Sequence, residues 1–552
     1  MTAVQSLPTS GRSGIGARHG SGWDYGAGSP TVGDHRREPT AYPAGAGVLP
    51  SPPDVQEKYC YVQRHIWLLV SCSVVSFSCL ALSQLRFAQS TPWTWLFLPF
   101  LLFTILYYLI SLSVNVFSRD FDLRAHRMLR TSWRPAVYPN VDVFLPVCGE
   151  PLDVIKNTWE HVARMAQYYR GVVTPYVLDD GGDHAVDALA AQFGFVYRSR
   201  SNRGWFKKAG NLRHGFWLSS GEYILVLDAD FAPRRDLLDE LLPYMEQDRR
   251  VAIVQSPQFF RVLDQQNWIE RGAGAVQELF YRAIQVSRQR VGGAICVGTC
   301  AVYRRAALAE NGGPTLIEHS EDVHTGFDLR RLGWDFRYVP IALATGLCPD
   351  TAGAFQVQQY RWCSGSLSLL SSKKFWTSVL SLRTRMCYLS GFFYYIHTAL
   401  FTFVGPLIPI TLLLAMPWTL RLENMKLIVP SLIYTALIFP MWHRRPYRLE
   451  AWAIRMMYGW AHAFAIWDSL RRRRLEWRPT GSRTATNNDK ARRFRVGITL
   501  WGGSTALVWV GAALWRMTTI DAPACALVLS TGLFYAATVG RVLVQPHKDE
   551  LA

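Results

Sequence analysis

Apolar positions along this chain come in two kinds of run. Long runs lie at 65–85 (HIWLLVSCSVVSFSCLALSQL), about 93–117, 387–416, about 425–442, about 496–515 and 523–544. Each has the length of a membrane-crossing helix. Short runs crowd between residues 141 and 345: VDVFLPV, VTPYVLD, GFVYRS, EYILVLD, VAIVQS and CVGTCAVYR. They are strand-length, and helical patterns such as Pro151–Tyr169 and Ala185–Phe193 separate them. That alternation predicts a mostly parallel, doubly wound α/β sheet.

Two stretches are ambiguous in period. Residues 268–290 (WIERGAGAVQELFYRAIQVSRQR) are amphipathic, fitting either a helix on the membrane surface or one packed on the domain, and residues 366–385 read the same way. Residues 450–469 are long enough to cross, but Arg455, His462 and Asp468 interrupt them and Arg471–Arg474 follow. An interfacial helix is the better expectation there. The predicted order is a disordered segment at 1–58, two spans in 59–118, a water-facing domain at 119–365 and an interfacial helix at 366–386. Two spans in 387–442, an interfacial helix and polar loop at 443–495, two spans in 496–545 and a tail at 546–552 complete it.

Composition sharpens this picture. Apolar residues are 49% and charged residues 18% of the whole, an average over a membrane part and a water-soluble part. The net charge of +18 does not point to nucleic acid, because basic residues sit beside the apolar runs. Arg119, Arg124, Arg127, Arg130 and Arg134 follow the second run, and Lys58 and Arg64 precede the first. The positive-inside rule and contact with anionic lipid explain both groups, and place the N-terminus and residues 119 onward in the cytoplasm. The six predicted crossings return the C-terminus there. The first apolar run comes too late and is too long for a signal peptide. Ten scattered Cys without zinc-ligand spacing read as reduced or buried thiols.

The candidate chemistry lies at the ends of the short runs. Asp228–Ala229–Asp230 ends an apolar strand with two carboxylates that can face one cation, and hard divalent cations that bridge to diphosphates take oxygen ligands. Asp179 and Asp180 end another strand before two glycines, where a carboxylate can accept hydrogen bonds from a base or ribose. Each motif alone is equally a solvated turn. Lys207 and Lys208 open a helix and can meet a phosphate. Glu321–Asp322 begin another helix, as caps or as a general base for a hydroxyl. His319 and His324 flank them without a zinc spacing. Gln358, Arg361 and Trp362 combine an amide, a guanidinium and an indole, suited to phosphate and to a sugar face, or to a membrane interface.

Taken in order, these motifs resemble the processive family-two glycosyltransferases: cellulose synthase catalytic subunits, with hyaluronan and chitin synthases as relatives. VQSPQFF (254–260) and EDVHTGFDLRRLGW (321–334) are especially similar to cellulose-synthase sequences. The resemblance covers roughly residues 59–545. It implies a GT-A-type α/β domain fused to an α-helical transmembrane domain, in the cell membrane with the catalytic domain cytoplasmic. It implies a UDP-sugar donor, UDP-glucose first, a growing β-glucan acceptor, and Mg²⁺ or Mn²⁺. It also implies residue roles. Glu150, Asp179, Asp180 and Asp228 would hold the uridine part and Asp230, with Asp228, the metal. Lys208 would face the diphosphate, Asp322 with Glu321 beside it would be the base, and Gln358, Arg361 and Trp362 would bind the diphosphate and cradle the acceptor.

Several positions depart from the family pattern. Ser320 replaces a Thr, and Ile295–Thr299 replace the Phe-Phe-Cys-Gly-Ser acceptor motif. Residues 475–483 lie where the gating loop would be expected but match it poorly, with Trp477 and Thr480 as candidate counterparts. No PilZ-like domain is expected after residue 545. The resulting expectation is a membrane hexosyltransferase that polymerises and secretes a β-glucan. A non-processive transferase acting on a lipid or other acceptor, a dead nucleotide-sugar-binding scaffold and a pure transporter are its rivals. Donor sugar, linkage, oligomeric state and accessory subunits are open at this level.

Overall fold

The computed structural model describes residues 49–63, 65–90, 92–115, 120–471 and 488–544. The expected disorder at 1–48, the loop counterparts Trp477 and Thr480, and the tail from 546 lie outside the described residues.

Helices α1 (Ile66–Ser90) and α2 (Leu98–Asn115) precede the domain. The domain holds β1 (Val141–Val147), β2 (Val173–Asp179), β3 (Val196–Ser199), β4 (Tyr223–Val226), β5 (Phe231–Pro233), β6 (Val251–Gln255), β7 (Phe259–Phe260), β8 (Ala301–Arg304), β9 (Asp335–Tyr338) and β10 (Ala344–Gly346). Among its helices are α3 (Lys207–Leu218), α4 (Leu237–Gln247), α5 (Glu321–Arg331), α6 (Ala352–Leu370) and α7 (Lys373–Thr377). Beyond it run α8 (Leu382–Ala415), α9 (Leu449–Leu470) and α10 (Ala522–Leu543).

The main sheet has seven strands in the order β3-β2-β1-β4-β8-β6-β9, and every pairing is parallel except the two that β8 makes. A small second sheet has the order β5-β10-β7. Both faces of the main sheet are covered. Along β1, Val143 and Leu145 join the core beneath Trp159 and Leu241, while Phe144 joins the opposite core with Leu178, Phe216 and Ile253. A strand buried on both faces has no polar side, which is why VDVFLPV reads as a continuous apolar run. Strand order reverses at β1, so the crevice past the ends of β1, β2 and β4 is the place for a ligand.

The expected strands at 141–147 and 173–179 are present, and those at 194–199, 222–228 and 251–256 form in part, over Val196–Ser199, Tyr223–Val226 and Val251–Gln255. CVGTCAVYR is a strand only over its last four residues, because Gly298 (φ +76°) and Cys300 (φ +54°) turn the chain before it. Residues 49–58 are built into the domain, in contrast to the expectation of disorder there. Arg261 donates to the Ser51 and Pro52 carbonyls and pairs with Glu57, and Asn157 donates to the Pro50 carbonyl. These partners lie far off in sequence, and composition does not reveal them.

Among the described residues, five helical stretches are long and apolar enough to cross a membrane: Ile66–Gln89, Thr94–Asn115, Leu382–Ala415, Arg492–Arg516 and Ala522–Leu543. The sixth expected crossing, 425–442, is a helix only over Val429–Trp442 and has a π-turn at Tyr434–Ile438. That is short of the ~20 residues a straight crossing needs. The ambiguous stretch 450–469 is the long helix α9. It buries Ala453, Ile454, Met457, Ala461 and His462 and packs against α6, α8 and Trp268–Leu279. Residues 268–290 are buried on the domain side as well, with Trp268, Ala273, Tyr281 and Val286 in the cores. Residues 366–385 do not form one continuous helix: α6 runs on to Leu370, the short α7 follows, and α8 starts at Leu382.

Candidate active site

A cavity of about 210 Å³ opens past the ends of β1 and β4. Its wall brings together Glu150, Asp180, Lys208, Asp228, Asp230, Glu321, Asp322, Gln358, Arg361 and Trp362. Of the site residues expected from sequence, only Asp179 is absent from the wall. It is fully buried, and its carboxylate accepts from the Gly181 and Asp183 amides at 2.7 and 2.8 Å and from the Tyr197 hydroxyl at 2.8 Å. Asp179 shapes the turn; its neighbour Asp180 faces the cavity.

Asp180 does not stand alone. Arg200 grips both of its oxygens, Nε to Oδ1 at 2.6 Å and Nη2 to Oδ2 at 2.7 Å. The same guanidinium donates to the Trp205 and Lys207 carbonyls, so it folds the loop that delivers Lys208. Nothing in the Arg-Ser-Asn-Arg sequence marks Arg200 as part of a site; only its 4% exposure in the folded domain does. Asn211 was also missed. It donates from α3 to the Leu178 carbonyl at 2.6 Å and lines the cavity.

Asp228 and Asp230 sit where β4 ends and β5 has yet to begin. The Thr299 hydroxyl accepts from the Asp228 amide at 3.0 Å, and the Lys208 ammonium meets Asp228 Oδ1 at 2.5 Å, Gly298 O at 3.2 Å and Glu321 at 3.7 Å. Burial alone would lower the ammonium's pKa, but Asp228, Glu321 and Asp322 outweigh it and hold Lys208 above ordinary lysine. Burial, then the charge of Asp228, pushes the Asp230 carboxyl up to about 7. Burial likewise raises Glu150 to about 7, against the pull of the Cys148 amide that donates to it at 2.6 Å.

Asp322 lies in the first turn of α5, and its Oδ1 accepts from the Val323 amide at 2.8 Å. It rests on Gly298, where a Cβ would come within 2.8 Å of Asp322 Oδ2. Burial first and then Glu321 push Asp322 up to about 7, with Lys208 opposing. Such a carboxyl can accept a proton near neutral pH, as a general base must. One face of α6 presents Gln358, Arg361 and Trp362, spaced as neighbours on a helix. Burial lowers the Arg361 guanidinium, with Glu321 and Asp228 opposing. His319 lines the cavity, while His324 turns away to the Ser368 hydroxyl at 3.0 Å.

Asp230 and Asp228 fit a divalent cation. Two crowded carboxylates, one driven towards its neutral form by the other, gain from positive charge. Among the described residues no group of three or more His, Cys, Asp or Glu side chains forms a complete cage. A cation here would draw its remaining ligands from phosphate oxygens and water, which is the usual habit of Mg²⁺ at nucleotide sites.

Residues 223–439 match the family model described as Glycosyl transferase family group 2. This region is similar to the glycosyl transferases of family group 2. It is cellulose-synthase-like: the chain is 31% identical over 265 residues to a cellulose synthase catalytic subunit [UDP-forming] of Xanthomonas axonopodis pv. citri (strain 306), covering 47% of this chain and 36% of that one. It is 32% identical over 272 residues to the corresponding subunit of Komagataeibacter sucrofermentans, covering 48% and 36%. The chain thus spans little more than a third of the length of these relatives. Among solved structures, a mannosyltransferase of Pyrobaculum calidifontis in complex with GDP-Man and Mn²⁺ is similar, at a TM-score of 0.42 and 16% identity, over 67% of this chain and 98% of that one. The α/β domain, with its carboxylates at the strand ends, is of the GT-A type and is joined to apolar helices of membrane length.

Proposed function

We propose that this protein is an integral membrane, inverting β-glycosyltransferase that takes glucose from UDP-glucose, adds it to a β-glucan and passes the product across the membrane. One observation carries the reading. A single cavity is lined by Asp180, Lys208, Asp228 and Asp230 together with Asp322, whose carboxyl pKa is raised, and with Arg361 and Trp362, and this grouping supports the reading. The relatives at about 31% identity are UDP-forming cellulose synthase subunits by name, which supports a UDP-sugar donor and a glucan product.

In this reading the base and uridine sit against Glu150 and Asp180. Asp322 takes the proton of an acceptor hydroxyl as that oxygen forms its bond to the anomeric carbon. The bond from that carbon to the phosphate oxygen breaks in the same displacement, so the configuration inverts. Lys208 and Arg361 meet the negative charge left on the diphosphate. A divalent cation held by Asp230 and Asp228 would add counter-charge at the same oxygens. Basic residues flanking α1 and α2 favour a cytoplasmic domain in the cell membrane.

The test uses purified protein in detergent with Mn²⁺ or Mg²⁺, given radiolabelled UDP-glucose, UDP-N-acetylglucosamine or UDP-galactose. High-molecular-mass label from UDP-glucose that a linkage-specific glucanase digests is the expected result. A single-sugar product would replace it with a non-processive transferase, and absence of both turnover and UDP binding would overturn it in favour of a scaffold.

A further inference from the structure

The helix that carries Asp322 is docked by a stripe of its own that starts at Ser320, on the cavity wall, and runs away from the cavity through His324 and Asp328. Ser320, His324 and Asp328 are spaced four apart and so share one side of α5. Each meets the α6–α7 segment. Ser320 lies so close to Gly365 that a Cβ at 365 would come 1.9 Å from its Oγ and 2.4 Å from its Cβ. The His324 ring meets Ser368 Oγ at 3.0 Å, and that hydroxyl in turn donates to the Gly365 carbonyl at 2.7 Å. Asp328 pairs with Lys374 and accepts from the Thr315 hydroxyl at 2.9 Å.

The opposing residues on α6 continue a stripe already in use. Gln358, Arg361, Trp362, Gly365 and Ser368 follow one another at helical spacing. The first three line the cavity and the last two hold α5. One face of one helix therefore fixes both the donor-side cations and the base. Ser320 adopts φ +55°, ψ +48°, a left-handed backbone that a residue with a Cβ rarely takes. It is held at the point of closest approach to Gly365, two residues before Asp322.

We propose that Gly365, with Ser320 and His324 facing it, is the positioning device that sets Asp322 relative to Arg361 and Trp362. None of the three need touch substrate to act. A methyl at 365 has no room beside Ser320, so α5 must shift at its N-terminal end, where Asp322 lies one turn from the contact. Displacement of a base by about 1 Å is enough to cost on the order of 100-fold in rate. The donor-binding residues on α6 and on the strand ends would stay where they are.

The inference rests on the transferase reading above, and a split of kcat from donor binding tests it. Gly365→Ala should lower kcat for UDP-sugar turnover at least about tenfold while UDP affinity, measured by calorimetry on the same detergent-purified protein, stays within about threefold. Adding Ser320→Gly removes both clashing atoms and suits the left-handed backbone, so the double variant should recover most of the lost kcat. In parallel, His324→Phe should lower kcat and His324→Gln, whose amide can still reach Ser368, should retain most of it. This second pair decides the matter if Gly365→Ala does not fold. A kcat for Gly365→Ala within twofold of wild type, a parallel loss of UDP affinity, or no rescue by Ser320→Gly would overturn the proposal. Absence of turnover by the wild-type protein with every UDP-sugar would instead overturn the transferase reading, and this inference with it.

Discussion

Lowering the pH should switch the transferase off around neutrality, well above the range of ordinary carboxylates. Asp322 is raised to about 7, by burial first and by Glu321 second. As a general base it works only when ionised, and below its pKa the ionised fraction falls about tenfold per pH unit. Turnover under kcat/KM conditions should therefore drop about fivefold between pH 7 and pH 6, about tenfold more between pH 6 and pH 5, and level off above pH 8. Glu150 and Asp230 rise to about 7 as well, so loss of donor and cation binding can mimic the same limb. Two controls separate the causes. Saturating Mn²⁺ should leave the Asp322 limb in place while moving any part due to Asp230. Glu321→Gln removes one cause of the upward shift, so its limb should move to lower pH even though its plateau falls; Lys208→Met removes an opposing charge, and its limb should move up. The assay is release of labelled UDP at substrate concentrations below KM, from pH 5 to 9. A flat profile between pH 6 and 8, or a Glu321→Gln limb that moves up, would refute the assignment of Asp322 as base.

Three further predictions follow from other contacts. Glu240 is fully buried and accepts from Lys58 at 2.6 Å, His126 at 2.7 Å and Arg130 at 3.0 Å, so Glu240→Ala should destabilise the protein by about 3–5 kcal/mol, seen as a fall in Tm in detergent. Arg200→Met leaves Asp180 unpaired and frees the loop before Lys208; UDP affinity should fall at least about tenfold, since truncating one partner of a buried charge pair costs several kcal/mol. Chelation should abolish turnover, with Mn²⁺ or Mg²⁺ restoring it, and Asp230→Asn should raise the Mn²⁺ concentration needed for half-activity or abolish turnover.

The legible part of this molecule is the part where chemistry follows strand ends. β1 and β2 read as apolar runs because both faces of the sheet are covered, and the chain just past their carboxyl-terminal ends, Cys148, Glu150 and Asp180, lines the cavity. What the sequence hides is set by contacts distant along the chain. Asp179 and Asp180 are indistinguishable as letters, yet one is consumed by three local donors and the other faces the cavity through Arg200. Arg200 looks like any arginine of a basic loop. The short strands β5, β7 and β10 span two or three residues each, too few for a period. The histidines beside Glu321–Asp322 have no zinc spacing, but nothing in the letters separates them; the fold puts His319 on the cavity and turns His324 to Ser368. Residues 49–58 are Pro- and Ser-rich, as disordered segments are, and are ordered here by Arg261, Asn157 and Asp236, none of which is near in sequence.

Those same distant contacts join the cavity to the membrane helices. Lys58, ahead of α1, and His126 and Arg130, beyond α2, all end on the single carboxylate of Glu240 in α4. Both chain segments that flank the first helix pair are therefore held at one point of the domain, so the ends of that pair nearest the domain lie on one side. On the other flank, α6 carries Gln358, Arg361 and Trp362 and leads through α7 into α8, with only a few residues between them. α9 packs against both α6 and α8 and buries its small residues Ala451, Ala453 and Ala461. The wall of the cavity that holds Trp362 is thus built on the helices that lead to the membrane, whereas the wall that holds Asp180 and Asp228 is built on the sheet.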